Sequence, residues 1–96
     1  MSVYYINSYD IVNIEEFKKY GPLVAPLLCK YGAEVLVADT EALSIEGQAR
    51  QMNAIIKFPS EKSALDCYSD PEYTEIKKIR INSTTNCTML LAKEKI

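Results

Sequence analysis

The fold of this chain is decided by residues 58–73, which read FPSEKSALDCYSDPEY. Pro59 lacks an N–H for a strand ladder and ends the predicted strand before it, and Ser60 is a preferred N-cap for a following helix. Asp70 is a second N-cap, and Pro71 suits the first helical position, where its missing N–H is not needed. The stretch therefore predicts the end of a strand, a short helix, and a second helix that begins again at Pro71.

The chain before this stretch begins with a strand and a helical segment. Residues 2–9 alternate along the chain and are rich in tyrosine, which is typical of a strand. Asn13 can cap a helix, and apolar side chains recur at helical spacing over residues 17–31. Because Pro22 and Pro26 interrupt this run, we expect a kink or two helical pieces.

Three further strands complete the pattern. Gly32 is a good helix stop, and residues 33–39 form the second predicted strand. A connection follows, in which residues 43–46 are a candidate short strand. Residues 51–58 and 86–93 form the third and the last predicted strands.

The predicted order is β-α-β-β-α-β, the ferredoxin-like arrangement of the α+β class: a four-stranded antiparallel sheet with helices on one face. We expect a single domain over residues 1–96, because a chain of this length has room for one core. Several strands carry apolar groups on both faces, as with Val35 and Val37 against Leu36. When one face of an antiparallel sheet is exposed to water, apolar and polar residues should alternate along each strand. We therefore expect a second subunit to cover the free face, sheet to sheet, in a homodimer.

Composition and charge limit the possible partners. The chain has 11 basic and 13 acidic residues, and its formal charge of −2 argues against a nucleic-acid surface. No apolar run approaches the roughly 20 residues that span a bilayer, and the N-terminus shows no export signal. The three cysteines are odd in number and far apart, which is typical of free thiols. We therefore expect a cytoplasmic protein without a nucleic-acid or membrane partner.

The sequence also argues against a cofactor. It contains no histidine, which excludes Ser-His-Asp and Cys-His centres, removes the usual proximal haem ligand and argues against zinc. Gly21, Gly32 and Gly47 are widely separated and form no phosphate-binding loop. We therefore expect no cofactor and no metal site.

Several short motifs together resemble a known family. They are Tyr9-Asp10, Tyr20, Tyr31-Gly32, Glu46-Gly47, Phe58-Pro59-Ser60 and the run from Tyr68 to Tyr73. The chain is similar, over nearly its whole length, to small bacterial proteins of an uncharacterised family, a domain of unknown function within the dimeric α/β-barrel superfamily. The resemblance implies a dimeric α/β barrel with a pocket between the sheet and the helices of each subunit. Other members of the superfamily look like cofactor-free monooxygenases, isomerases and dehalogenase-like enzymes.

Six residues are candidates for binding a ligand in such a pocket. Tyrosine hydroxyls donate or accept hydrogen bonds while their rings pack on apolar surface, which suits a small, partly apolar ligand. Tyr68 and Tyr73 have packing between the two helical pieces as an alternative role. Arg80 is either a surface or carboxylate-paired residue, or an anchor for a substrate carboxylate. The ligand-binding candidates are Tyr5, Asn7, Tyr9, Tyr68, Tyr73 and Arg80.

Two carboxylates are candidates for proton transfer. Asp10 is expected either to hold a turn or cap, or to act as a general base. Glu46, next to Gly47, either marks a turn before the third strand or, as a buried carboxylate, accepts a proton. Cys67 is expected to fill a small buried apolar role rather than to be a reactive thiol.

These observations support three hypotheses of function. The first is a homodimer that binds a small organic molecule in the pocket of each subunit without a cofactor. The second is a cofactor-independent enzyme of the same fold, monooxygenase-like or isomerase-like, in which Glu46 or Asp10 accepts a proton and tyrosines polarise a carbonyl or phenol. The third is a structural or interaction protein whose dimer is its function. The sequence leaves open whether the protein is an enzyme.

Overall fold

The computed structural model describes residues 1–96 and contains four strands and four helices. The strands are Val3–Ile11 (β1), Glu34–Asp39 (β2), Met52–Phe58 (β3) and Thr84–Lys93 (β4). The helices are Ile14–Phe17 (α1), Tyr20–Lys30 (α2), Glu61–Ser69 (α3) and Pro71–Ser83 (α4).

The four strands form one sheet in the order β2-β3-β1-β4, and every neighbouring pair is antiparallel. The helices cover one face, here called the helix face, which carries Tyr5 of β1 and its register partner Ile56 of β3. The opposite face, here called the far face, carries the next pair along, Ile6 and Ile55. The predicted α+β ferredoxin-like fold is confirmed.

The helical segment after β1 consists of two pieces, as expected, but only Pro22 accounts for the break, because Pro26 lies inside the continuous helix α2. Asn13 caps α1, because its side-chain oxygen accepts a hydrogen bond from the N–H of Glu16 at 3.1 Å. The break falls at residues 18–19. In a continuous helix the ring of Pro22 would clash with the carbonyl of Lys18, four residues earlier. Gly32 lies just beyond the end of α2 with φ of 72°, a left-handed conformation that favours glycine.

The stretch between β3 and α4 also follows its sequence signals. Ser60 caps α3 through a hydrogen bond from the N–H of Ser63 at 3.1 Å. Asp70 caps α4 through a bond from the N–H of Glu72 at 2.8 Å, and Pro71 is the first residue of that helix. The two caps set α3 and α4 as separate helices over the sheet.

The connection between β2 and β3 contains no regular structure, so the candidate short strand at residues 43–46 is wrong. Leu43 and Ile45 are 83% and 81% exposed and have no strand beside them. The chain instead turns at Gly47, whose φ is 76°, and the hydroxyl of Ser44 donates to the Gly47 carbonyl at 2.7 Å. Apolar residues here suggested a strand, but the segment pairs with no strand of the sheet.

A bulge in β2 corrects the expectation that Val35 and Val37 share a face. Val35 pairs with Ile56 on the helix face, whereas Val37 pairs with Ile55 on the far face, and the register shifts at Leu36 between them. One extra residue in a strand reverses the facing of everything beyond it. Simple alternation could not predict this reversal.

The core lies between the helix face and the helices α2, α3 and α4. Its most deeply buried side chains include Val3, Leu27, Phe58 and Ala64. All residues of β2, at one edge of the sheet, are exposed, so the helices cover β1 and β3 but leave this edge open. An opening into the space under the helices lies on that side.

The far face is apolar across several strands and is uncovered in the single chain. Ile6 of β1 is 41% exposed and its register partner Leu90 of β4 is 56% exposed. Ile55 and Val37 continue the same row across β3 and β2. At about 25 cal/mol for each Å² of apolar area, solvation of this row costs free energy that contact with a second apolar surface would recover.

Candidate functional site

A cavity of about 210 Å³ lies between the helix face of the sheet and the helices. Nineteen residues line it and 16 of them are hydrophobic. Its exposed lining residues include Gly21, Val35 and Ala38, so it opens to solvent between α2 and the edge strand β2. Its floor is formed by side chains of all four strands, among them Tyr5, Asn7, Ala54, Ile56 and Met89.

A continuous series of aromatic rings, here called the aromatic chain, forms much of the wall. Ring centroids of successive members are 5.5 to 6.5 Å apart, within the range of favourable edge and offset contacts. On the outer side, the ammonium of Lys77 lies 4.6 Å from the ring centroid of Tyr68. In order of contact the members are Tyr9, Phe17, Tyr20, Tyr73, Tyr68, Tyr5 and Phe58.

Two tyrosine hydroxyls of the aromatic chain are fixed by hydrogen bonds between elements. The hydroxyls of Tyr20 on α2 and Tyr73 on α4 are 2.7 Å apart and share a hydrogen bond. The hydroxyl of Tyr5 on β1 donates to the carbonyl of Ala64 on α3 at 2.9 Å. These bonds tie the helices to each other and to the sheet around the cavity, which holds its shape.

Burial holds four ionisable side chains of the lining, three tyrosines and one cysteine, in their neutral forms. Burial raises the pKa of Tyr5 and that of Tyr9 to about 12. Burial, reinforced by the neighbouring Tyr73, raises the pKa of Tyr20 well above its usual value. Burial also raises the pKa of the Cys67 thiol to about 11. At neutral pH these tyrosines are hydrogen-bonding hydroxyls rather than bases, and the thiol is not a nucleophile.

Arg80 is the one charged residue of the lining. It lies on the inner stripe of α4 with Tyr73, Ile76 and Ser83, and it is 5% exposed. Its Nη1 donates to Sγ of Cys87 at 3.1 Å, whereas its Nε has no hydrogen-bond partner. No salt bridge includes it. The interpretation of Arg80 as a surface or carboxylate-paired residue is therefore wrong.

The surroundings of Arg80 keep it charged. Burial acts to lower the pKa of Arg80, but attraction to the phenol oxygens of Tyr73 and Tyr20 in their ionised forms outweighs this effect, and the pKa is raised above its usual value. The guanidinium thus remains a cation throughout the physiological range. The cavity presents a fixed positive charge in an otherwise apolar and neutral space.

Asn7 supplies the second unsatisfied polar group of the cavity. It lies in the middle of β1, between Ala54 of β3 and Met89 of β4, whose small or apolar side chains offer no hydrogen bond. Its Oδ1 is buried and has no partner. Buried polar atoms are nearly always satisfied in folded proteins, so the unpaired oxygen of Asn7 requires an explanation.

The structure brings the six ligand-binding candidates to one place. Every one of them lines the cavity, although they come from β1, α3 and α4 and lie up to 75 residues apart, as Tyr5 and Arg80 do. The packing role considered for Tyr68 and Tyr73 is also present, since their ring centroids are 5.6 Å apart between α3 and α4.

The two candidate bases lie outside the cavity. Asp10 accepts hydrogen bonds from the N–H of Gln51 at 3.0 Å and from Nδ2 of Asn86 at 3.0 Å, so it joins the start of β3 to the bulge in β4. These two hydrogen bonds lower the pKa of Asp10, and the bond from Asn86 has the larger effect. Glu46 is exposed in the turn before Gly47. No carboxylate lines the cavity.

Several lining residues were not among the sequence candidates. Tyr20 and Phe17 share a helical stripe with the buried Val24, a spacing that would have identified them as inward-facing. Met52 and Ala54 lie an even number of residues before Phe58 in β3, and therefore on the same face of that strand. Nothing in the pattern distinguishes such residues from an ordinary core.

Two other site types have no support in the structure. No group of three or more metal-ligating side chains lies together anywhere in the chain. No helix combines the length and the apolar character that crossing a membrane requires.

The fold and the cavity define an α+β ferredoxin-like protein with an aromatic-walled cavity beneath its helices. Residues 2–94 match the family described as "Domain of unknown function (DUF1330)", so the chain belongs to that family. The resemblance predicted from the short motifs is thereby confirmed. No curated protein matches the chain in sequence.

Solved structures of low sequence identity share the fold. A protein of unknown function from Rhodopseudomonas palustris is 18% identical with a TM-score of 0.86, and the match covers 99% of this chain and 83% of that one. A dimeric ferredoxin-like protein of unknown function from Bacteroides fragilis is 13% identical with a TM-score of 0.65, over 97% and 96% of the two chains. SnoaB, a cofactor-independent oxygenase from Streptomyces nogalater, is 10% identical with a TM-score of 0.72, over 99% and 94%.

Proposed function

We propose that this protein is a cytoplasmic homodimer that binds a small, partly apolar organic molecule in the cavity of each subunit, without a cofactor. The observation that carries the proposal is the cavity itself. A core of this size is normally packed without voids larger than a water molecule. Here a space of about 210 Å³ persists, walled by rings that hydrogen bonds hold in place.

The volume indicates the size of the ligand. An apolar cavity of about 150 Å³ is enough to hold benzene. A cavity of about 210 Å³ therefore suits a single ring with one or two substituents. Its lining of aromatic and aliphatic side chains with a few polar groups is the composition typical of small-molecule sites.

The far face supports the homodimer. In the row of Ile6, Ile55, Leu90 and Val37, three side chains are exposed in one chain and Ile55 is half-buried, and the row would be covered if two sheets packed face to face. Proteins of the same fold from Bacteroides fragilis and Thermobifida fusca are dimeric. The three cysteines are free thiols, which is consistent with the cytoplasm.

Sedimentation equilibrium tests the homodimer with a matched pair of variants. We expect the wild-type protein to sediment at twice its 10.8 kDa mass at micromolar concentration. Leu90→Lys, on the far face, should give a monomer because it places a charge in the apolar contact. Leu65→Lys, on α3, changes a residue of similar exposure outside the far face and should leave the dimer intact. A monomeric wild type, or equal dissociation of both variants, would refute the proposed interface.

Thermal shift tests ligand binding. A ligand present at 100 times its dissociation constant should stabilise the folded protein by about 2.7 kcal/mol, which raises the melting temperature by several degrees. A panel of ring compounds with single polar or charged substituents covers the chemistry that the cavity fits. No stabilisation by any member of such a panel would count against a small-molecule site.

A cofactor-independent enzyme is the second candidate, favoured by the hydroxyl pair of Tyr20 and Tyr73 beside the cavity, which could polarise a carbonyl. SnoaB, of the same fold, is a cofactor-independent oxygenase. No carboxylate of the same chain lines the cavity. Glu46 or Asp10 could therefore accept a proton from a bound compound only if it reached into the cavity of the partner subunit or if the chain rearranged. Turnover of a bound compound that Glu46→Gln abolishes while binding persists would support the enzyme; unchanged turnover would remove Glu46 from the mechanism.

A further inference from the structure

The charge of the cavity is unbalanced. Arg80 is buried to 5% exposure, faces the cavity and has no carboxylate partner, while its Nε makes no hydrogen bond. Its hydrogen-bonding partners are not carboxylates: Sγ of Cys87 is a weak acceptor, and the other partner is the hydroxyl of Tyr73. An isolated charge of this kind is among the most costly groups to bury, and natural proteins rarely retain one unless an anion or metal compensates it.

The structure offers no internal anion for this role. The five salt bridges of the chain all involve lysines on the surface of the helices. The side chains around the guanidinium are those of Tyr9, Tyr20, Tyr73 and Cys87, and none of them is a carboxylate. The compensating charge must therefore come from outside the chain.

One positive charge in an apolar cavity selects for one negative charge. A dianion such as phosphate would need further cations or several N–H donors, and beyond Arg80 the lining supplies no cation and only the side-chain amide of Asn7. A carboxylate carries a single charge and matches the planar fork of the guanidinium. The volume leaves room for one ring beside it, and the aromatic chain provides faces and edges for that ring to contact.

Asn7 adds a second requirement. Its buried Oδ1 accepts no hydrogen bond in the empty cavity, and its strand neighbours Ala54 and Met89 cannot supply one. A ligand that donates a hydrogen bond, such as a hydroxyl on the ring, would satisfy this oxygen. We propose that the natural ligand is a single-ring carboxylate with a hydrogen-bond donor, whose carboxylate binds Arg80 and whose donor binds Asn7. This inference rests on the small-molecule site proposed above.

Isothermal titration with benzoate, its neutral isostere benzamide and the three hydroxybenzoate isomers tests the ligand class. Because a hydrogen bond to a charged group contributes more than a neutral one, benzoate should bind about ten- to a hundredfold more tightly than benzamide. At least one hydroxybenzoate should bind more tightly than benzoate, by about fivefold, since it satisfies Asn7.

Variants assign the two contacts. Arg80→Met keeps the length of the side chain and should abolish the preference for benzoate over benzamide, whereas Arg80→Lys keeps the charge and should retain part of it. Asn7→Leu should abolish the advantage of the preferred hydroxybenzoate without changing the preference for the carboxylate. Circular dichroism of each variant checks that the fold is intact.

The outcomes separate this proposal from the one on which it rests. Equal binding of benzoate and benzamide to the wild-type protein would overturn the carboxylate ligand and leave a small-molecule site in place, a comparison that needs no variant. A carboxylate preference that persists in Arg80→Met would also overturn the assignment. Absence of binding by every ring probe, charged or neutral, would overturn the small-molecule site itself.

Discussion

Filling the cavity from its floor is the most direct test of the free volume under the helices. Ala54 lies in the middle of β3, between Asn7 of β1 and Ala38 of β2, and its side chain lines the cavity. Ala54→Leu adds three carbon atoms to the space. If they are buried there without a clash, each contributes about 0.8 kcal/mol, which gives an upper figure of about 2.4 kcal/mol of added stability.

The same substitution at a packed position supplies the control. Ala64 on α3 is fully buried in the core and does not line the cavity. Ala64→Leu must displace its neighbours and should cost about 1–3 kcal/mol. The two variants therefore change stability in opposite directions although their chemistry is identical.

Urea unfolding followed by circular dichroism, at one fixed protein concentration, measures both effects. Titration with benzoate completes the test, because Ala54→Leu should weaken its binding by about tenfold or more by occupying the same volume. Loss of more than about 1 kcal/mol in Ala54→Leu would refute the reasoning, since it would mean that the site has no free space. Unchanged benzoate binding in a stabilised Ala54→Leu would separate the cavity from the ligand site.

Three further predictions follow from single residues. Phe58→Ala should cost about 3–5 kcal/mol, because the ring is 1% exposed in the core, and urea unfolding that shows a loss below about 1 kcal/mol would contradict its burial. Arg80→Met should raise the unfolding free energy of the ligand-free protein by about 1–3 kcal/mol by removing an unsatisfied buried cation, and a lower free energy in the same assay would mean that Cys87 and the tyrosines already compensate it. The hydrogen bond from the Tyr31 hydroxyl lowers the pKa of Asp70, so the stability that this carboxylate contributes is complete above the unfolded-state pKa near 4 and is lost as the pH falls. Acid titration of Asp70→Asn against the wild type should therefore show a stability difference at pH 7 that shrinks below about pH 4, and a difference independent of pH would exclude the ionised form as its source.

Much of the fold was predictable because local signals agree with the tertiary structure. Asn13, Ser60 and Asp70 each act as the cap that their residue type favours, and Pro22 breaks the first helical segment where ring sterics require. The bulge at Leu36 was not predictable, because a register shift depends on pairing with β3 rather than on the side chain itself. The same limit applies to the connection before β3, where apolar residues without a partner strand form no strand.

The candidate site shows the same division between local and tertiary information. The tyrosines of β1 were placed correctly as a set because a strand alternates, and Tyr5, Asn7 and Tyr9 must share one face. Glu46 and Asp10 were candidate bases as carboxylates near turns, but the sequence carries no measure of their distance from a cavity that four strands and four helices enclose. The residue type alone therefore did not indicate that both carboxylates lie outside the cavity.

Arg80 shows why burial, not residue type, identifies this site. It stands beside Lys77 and Lys78, and a run of cations on one helical turn is usually a solvated face. Yet the buried residues of α4 fall at positions 73, 76, 80 and 83, and this spacing turns Arg80 inward while the two lysines remain on the outer side. We expect a cation in the register of a core residue to lower the stability of the empty protein, as the Arg80→Met variant tests. Its position is explained if the state that matters is the one with an anion bound, because that state alone satisfies the guanidinium.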